Sequence, residues 1–202
     1  YSVHGWSEQG GGVPVELWSV PLHGKSAPRR FFVGAPDESL DPVLDPSGKW
    51  VVFRVIGFDG AYYQLWTAPS DGSRPATRVD PGRVDEIALP AAGPRFAFAT
   101  VSEVFSAAFD GSKPPRSLTG PLGVGLAVSE LEIEPGGTRV VYRGVEFQRR
   151  VTELFSVPTD GSAAPLRLNG ALVSRGSVRD MRLGPRGDRV AYVADQETDE
   201  VY

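Results

Sequence analysis

Two short motifs alternate four times along this 202-residue chain. A repeat of that kind decides the fold before local propensity does, because each copy can bury its apolar face only against the next. The first motif reads Leu44-Asp45-Pro46-Ser47-Gly48-Lys49-Trp50-Val51-Val52-Phe53, and it returns over 89–98, 133–142 and 183–192. Its shared glycines are Gly48, Gly93, Gly137 and Gly187, spaced 45, 44 and 50 residues apart. The second motif reads Glu16-Leu17-Trp18-Ser19-Val20-Pro21-Leu22-His23-Gly24, with copies over 64–72, 103–111 and 153–161 that end on Gly72, Gly111 and Gly161.

Each motif has a mechanical reading. Pro, then Gly, then an apolar run marks a tight turn entering a strand, since Pro pre-sets φ and Gly accepts φ > 0. Asp-Gly between extended runs, as in Asp71-Gly72, Asp110-Gly111 and Asp160-Gly161, predicts a short hairpin in which both turn residues take positive φ. The unit is therefore strand, turn, strand, loop, strand, turn, strand. Four antiparallel strands in about 45 residues make one propeller blade. With 24 glycines and 18 prolines, long helices are disfavoured. The second strands (Val51, Val52, Phe53; Phe96, Ala97, Phe98; Val140, Val141, Tyr142; Val190, Ala191, Tyr192) are apolar on both faces, as in a sheet sandwiched between neighbours. A column of Trp18, Trp66, Phe105 and Phe155 would fill the wider space between blades. The expectation is all-β, a β-propeller of four-stranded antiparallel blades; a β-sandwich is the alternative.

The phase of the repeat gives a partial blade over 1–40, blades over 41–85, 86–129 and 130–178, and a partial blade over 179–202. The ends could complete one shared blade, or the chain could be a slice of a larger propeller; the second reading is preferred. The chain begins at Tyr1 and its one methionine is Met181, which predicts an excised or processed piece.

The Pro-x-Gly turn, apolar strand, Leu-aromatic pair and Asp-Gly-Ser together resemble the TolB-type propeller repeat, also described as PD40 or WD40-like. Asp45-Pro46-Ser47-Gly48-Lys49 is the nearest match to its turn. Glu134-Pro135-Gly136-Gly137 and Gly184-Pro185-Arg186-Gly187 are looser, and Pro90-Ala91-Ala92-Gly93 departs further. The resemblance implies a bacterial protein of the periplasm or exterior. It also implies either a binding or scaffolding propeller or the gating propeller of a prolyl-oligopeptidase-like serine peptidase.

The formal net charge of −4 removes the electrostatic footprint of a nucleic-acid binder. The absence of cysteine excludes disulfides, thiolate zinc sites and a Cys nucleophile. No apolar run approaches the about 18 residues of a membrane-spanning helix. No Gly-x-Ser-x-Gly elbow, His-Glu-x-x-His or phosphate-cradling loop is present. His4 and His23 read as loop and turn residues, Gly10-Gly11-Gly12 as a connection, and Arg149-Arg150 as a solvated hairpin tip. The one constellation with chemistry in it is Asp41, Glu86, Glu130 and Asp180, which occupy matching repeat positions two or three residues before each first-strand Leu or Ile. First strands line a propeller's channel, so these carboxylates could form a ring that attracts Ca²⁺ or the cationic groups of a peptide; the competing expectation is that each is tied into local hydrogen bonds. No catalytic residue, no resident metal and no cofactor are predicted beyond that Ca²⁺ ring. The expected partner is a protein or peptide, and the expected role is binding rather than catalysis, with a metal-dependent hydrolase at the ring as the least favoured reading.

Overall fold

The computed structural model describes residues 13–57, 60, 63–80, 82–122 and 126–196. Among these there is no α-helix, and sixteen strands account for the regular structure. They run β1 (Pro14–Ser19), β2 (Arg29–Pro36), β3 (Ser39–Leu44), β4 (Trp50–Ile56), β5 (Tyr63–Pro69), β6 (Thr77–Arg78), β7 (Glu86–Ala88) and β8 (Arg95–Thr100). Then follow β9 (Glu103–Ala108), β10 (Arg116–Ser117), β11 (Leu126–Ile133), β12 (Arg139–Glu146), β13 (Val151–Pro158), β14 (Leu166–Arg167), β15 (Val178–Leu183) and β16 (Val190–Ala194). Three four-stranded antiparallel meanders result, β3-β4-β5-β6, β7-β8-β9-β10 and β11-β12-β13-β14, with two-stranded sheets β1-β2 and β15-β16. This is a β-propeller fold, each meander a blade. The chain forms two compact units, one from the described parts of Tyr1–Val84 with Ala108–Pro114, the other from Asp85–Ala107 with Pro115–Tyr202.

The first motif folds the same way in three of its copies, and the Gly93 copy departs with φ +115°. In its turn the glycine N–H donates to the carbonyl three residues back: Gly48 to Asp45, Gly137 to Glu134, Gly187 to Gly184, each at 2.8 Å. All four glycines sit at positive φ, between +70° and +115°. Where an acid opens the turn it also caps it. Asp45 accepts from the Trp50 N–H at 2.7 Å, and Glu134 accepts from the Thr138 N–H at 2.7 Å. In the second unit successive turns touch. The Ala92 N–H donates to the Pro135 carbonyl at 2.8 Å, and a Cβ on Gly137 would lie 2.9 Å from the Ala92 carbonyl oxygen.

The second motif differs from expectation. Gly24, Gly72, Gly111 and Gly161 have φ of +61° to +66°, but the residues before them do not take positive φ. Each glycine N–H closes an i→i+3 bond, to Pro21, Pro69, Ala108 and Pro158 at 3.0–3.1 Å. This is a type I turn followed by a left-handed glycine that opens a loop instead of a two-residue hairpin. The fourth strands β6, β10 and β14 are consequently only two residues long. The aspartate serves as an acceptor: Asp71, Asp110 and Asp160 take the N–H of Ser73, Ser112 and Ser162 at 2.9–3.0 Å. His23 fills the same role with Nδ1, 3.0 Å from the Lys25 N–H.

Those serine bonds, side chain foremost for Asp71 and Asp160 and backbone foremost for Asp110, hold the three carboxyls below the ordinary aspartate value. A depressed carboxyl contributes stability that is present above its unfolded pKa of about 3.9 and is lost as pH falls through the folded value. We expect the triple variant Asp71→Asn/Asp110→Asn/Asp160→Asn to lose less stability than the parent between pH 5 and pH 2. Urea unfolding at stepped pH checks this; parallel curves would remove these turns from the acid response.

Blade stacking is read directly from the second unit's core. One face of β12–β13 (Val140, Tyr142, Val157) packs on Ala88, Ala97 and Ala99 of β7 and β8. The opposite face (Val141, Leu154) packs on Val178 and Met181 of β15. A strand apolar on both faces is thus buried on both. In the first unit, Phe53 is fully buried in a cluster with Phe31, Val51, Val55 and Ala68. β16 departs from the pattern: Ala191 is exposed and Val193 is 58% exposed. Of the aromatic column, Phe105 is buried and Trp66 and Phe155 half-buried, but Trp18 is 50% exposed. Its ring lies 5.7 Å under the Arg30 guanidinium, and its indole N–H donates to Glu16 at 3.0 Å.

Candidate functional site

The four repeat-position acids have different surroundings. In the first unit, Asp41 on β3 faces Arg54 across the ladder and accepts from Nε at 3.0 Å and Nη2 at 2.5 Å. In the second unit, Glu130 on β11 lies 2.7 Å from Arg143 Nε, too oblique for a hydrogen bond. The Arg182 Nη1 reaches Glu130 at 3.1 Å and Asp180 at 2.9 Å. Glu130 and Asp180, from neighbouring sheets, therefore converge on one guanidinium. Glu86 is exposed at the start of β7. Asp41, Glu130 and Asp180 are answered by arginine, and no group of three or more acid or histidine side chains placed to hold a metal occurs among the described residues.

Other polar side chains are engaged by the backbone. Asp80, Thr119 and Asn169 follow the short fourth strands β6, β10 and β14, and each accepts the third-strand N–H of Leu65, Val104 or Leu154, at 2.7, 3.2 and 2.8 Å. Ser106 and Thr159 are buried and donate to the carbonyls of Thr159 and Gly137 at 2.6 and 2.7 Å. His4 and Gly10-Gly11-Gly12 lie outside the described residues. Arg149 sits at the β12–β13 hairpin tip, 3.4 Å from Glu146, and Arg150 takes φ +55° there.

A cleft of about 330 Å³ lies in the second unit. Its floor is the Tyr142–Phe155 pair, opposed across the β12–β13 ladder with rings stacked at 5.4 Å and 21°. Beside it Gly144 leaves the sheet bare. A Cβ there would meet the Phe155 ring at 3.1 Å and Tyr142 at 3.9 Å, so both rings lean into the space the missing side chain vacates. At the matching repeat position the other blades carry Val55, Thr100 and Ala194. Leu122, Ala127, Val145, Val151 and Pro165 line the apolar walls. The Leu122 N–H donates to the Ser102 carbonyl and the Val128 N–H to the Val101 carbonyl, at 2.9 and 3.0 Å. Glu146 and Glu153 supply the charge.

Tyr142 is the unusual member. It is 3% exposed, its hydroxyl has no hydrogen-bond partner among the described residues, and burial pushes the phenol up to about 12. The ring is buried, and the residue lines the cleft. The sequence offered Tyr142 as an apolar strand residue and gave no site here. The one signal was Gly144, a glycine inside a strand, which marks a close backbone approach.

No family model matches the chain, and no curated protein matches it in sequence. Among solved structures, one from a study of two prolyl endopeptidases is similar at TM-score 0.59 and 17% identity, over 93% of this chain and 28% of that one. A nidogen/laminin complex gives TM-score 0.51 and 16% identity, over 82% of this chain and 60% of that one. A structure assigned as TolB from Agrobacterium tumefaciens gives 0.47 and 16%, over 84% and 74%. At these identities the likeness is one of fold, and the chain spans less than two thirds of the first two structures.

Proposed function

We propose that this chain is a non-catalytic binding module, a β-propeller segment of a larger exported bacterial protein that holds a protein or peptide partner. The observation that carries the reading is how the polar groups are used. The hydroxyls, carboxylates and amides engaged above serve turns, ladders and blade contacts, and they form no nucleophile with a base and an orienting group. A formed cleft lined by a phenol and two carboxylates stands apart from these contacts. A rigid sheet scaffold that presents such a cleft suits recognition. The ring acids fit a structural role better than a cation site, since a cation would have to displace Arg54, Arg143 and Arg182. Two measurements test this. Titrating Ca²⁺ into the protein should give no saturable heat, and a fluorophosphonate serine-hydrolase probe should leave it unlabelled. Saturable Ca²⁺ binding lost in Glu130→Gln would restore the cation ring, and stoichiometric labelling would replace this reading with an enzymatic one.

The second reading is the gating propeller of a prolyl-oligopeptidase-like peptidase. It is favoured by likeness that extends over 93% of this chain yet only 28% of the prolyl endopeptidase structure. The parent reading frame decides it: a Gly-x-Ser-x-Gly elbow encoded beyond these residues supports the peptidase, and its absence from the full gene rejects it.

A further inference from the structure

We infer that the cleft between Leu122 and the β12–β13 hairpin receives a basic side chain, arginine above all, projected by an extended segment of a partner protein. This rests on the binding-module reading and names what the module holds. The lining contains two carboxylates, Glu146 and Glu153, and no basic group. An acidic ligand would be repelled. A neutral apolar one would strip water from the carboxylates, which is unfavourable. A guanidinium meets every feature at once. It is planar and weakly hydrated, stacks on aromatic rings, and offers a fork of donors to the carboxylates and the phenol oxygen, while its aliphatic stem suits Val151, Pro165 and Leu122.

The protein already shows which cation these carboxylates take. Glu153 is paired with Arg167 at 3.0 Å and Glu146 with Arg149 at 3.4 Å. Those arginines are 57% and 78% exposed, so the pairs are weak and readily exchanged for an incoming guanidinium. A volume of about 330 Å³ lies at the small end of ligand sites. It accommodates one long side chain and its adjoining backbone.

The test is fluorescence anisotropy of the full chain with a labelled Gly-Ser-Arg-Ser-Gly peptide, set against the same peptide carrying citrulline, the uncharged isostere, or glutamate. The arginine peptide should bind saturably, and the citrulline peptide about tenfold more weakly, the scale of a charge-assisted pair. E146Q/E153Q should weaken the arginine peptide by about tenfold. Y142F should weaken it by about threefold to tenfold with an unchanged melting temperature, because the hydroxyl it removes has no hydrogen-bond partner among the described residues. Free agmatine should compete less well than the peptide; equal competition would make the site one for small guanidinium compounds and overturn the peptide assignment. Equal binding of arginine and citrulline peptides, binding indifferent to Y142F and E146Q/E153Q, or no saturation would each overturn the cleft itself. Mass spectrometry of the recovered peptide separates the two readings. Intact peptide is expected, whereas cleaved peptide with cleft-dependent binding would sink the non-catalytic role and leave the cleft standing.

Discussion

Replacing Gly137 by alanine should destabilise the protein by about 2–4 kcal/mol, whereas the same change at Gly48 should cost about 1 kcal/mol. Both glycines occupy the same turn of the repeat at nearly the same φ, +73° and +70°. The backbone penalty of a side chain in the left-handed region is therefore common to both. What differs is the neighbourhood. At Gly48 an added Cβ meets nothing within 4 Å. At Gly137 it lies 2.9 Å from the Ala92 carbonyl oxygen and 3.3 Å from the Pro90 ring. The first obstacle is backbone held by the Ala92–Pro135 hydrogen bond, so it cannot step aside without parting two turns. Chemical denaturation of the two variants checks the difference. Equal losses would mean that the glycine repeat serves the turn alone and that stacked turns contribute nothing.

Truncating Phe53 to alanine should cost about 3–5 kcal/mol, the range for deleting a buried aromatic. Phe53 is fully buried. Its ring meets Phe32 edge-on at 5.0 Å and Phe31 at 6.5 Å, and its neighbours Val51, Val55 and Ala68 belong to strands held in register on both sides. Sheets fixed by ladders collapse poorly into a void, which favours the upper part of that range. Val193→Ala on β16 is the control, a half-exposed apolar side chain whose loss should stay within about 0.5 kcal/mol. A Phe53→Ala loss as small as the control's would contradict the assignment of this strand to a two-sided core.

The repeat made the blades legible because it fixed strand order, turn positions and the doubly apolar second strands together. The turns shared by Gly48, Gly93, Gly137 and Gly187 follow from Pro and Gly chemistry alone. The Asp-Gly turns were harder. An i→i+3 turn closed by one left-handed glycine uses the same two letters as a hairpin with two, and it is marked by the side-chain acceptor that takes the backbone N–H two residues on. The same turn accepted His23, because only an acceptor atom is required. The site was largely hidden. The matching acids suggested a shared cation, but the sequence does not reveal that Arg54, Arg143 and Arg182 sit opposite them, since cross-strand register and inter-sheet reach decide that. The cleft arises from a break in the repeat, Gly144 where Val55, Thr100 and Ala194 stand elsewhere, and its effect depends on two rings brought alongside by pairing. Trp18, placed in the aromatic column by its motif, is instead exposed and covered by Arg30.

Amide hydrogen exchange read along the whole chain addresses the repeat most directly. If blades of four strands stack as described, protection should rise and fall with a period near 45 residues. The slowest amides should lie in β4, β8 and β12, and fast exchange should return in the loops over 70–76, 109–115 and 159–165. Protection spread evenly along the sequence, or concentrated in one continuous stretch with no such period, would contradict it.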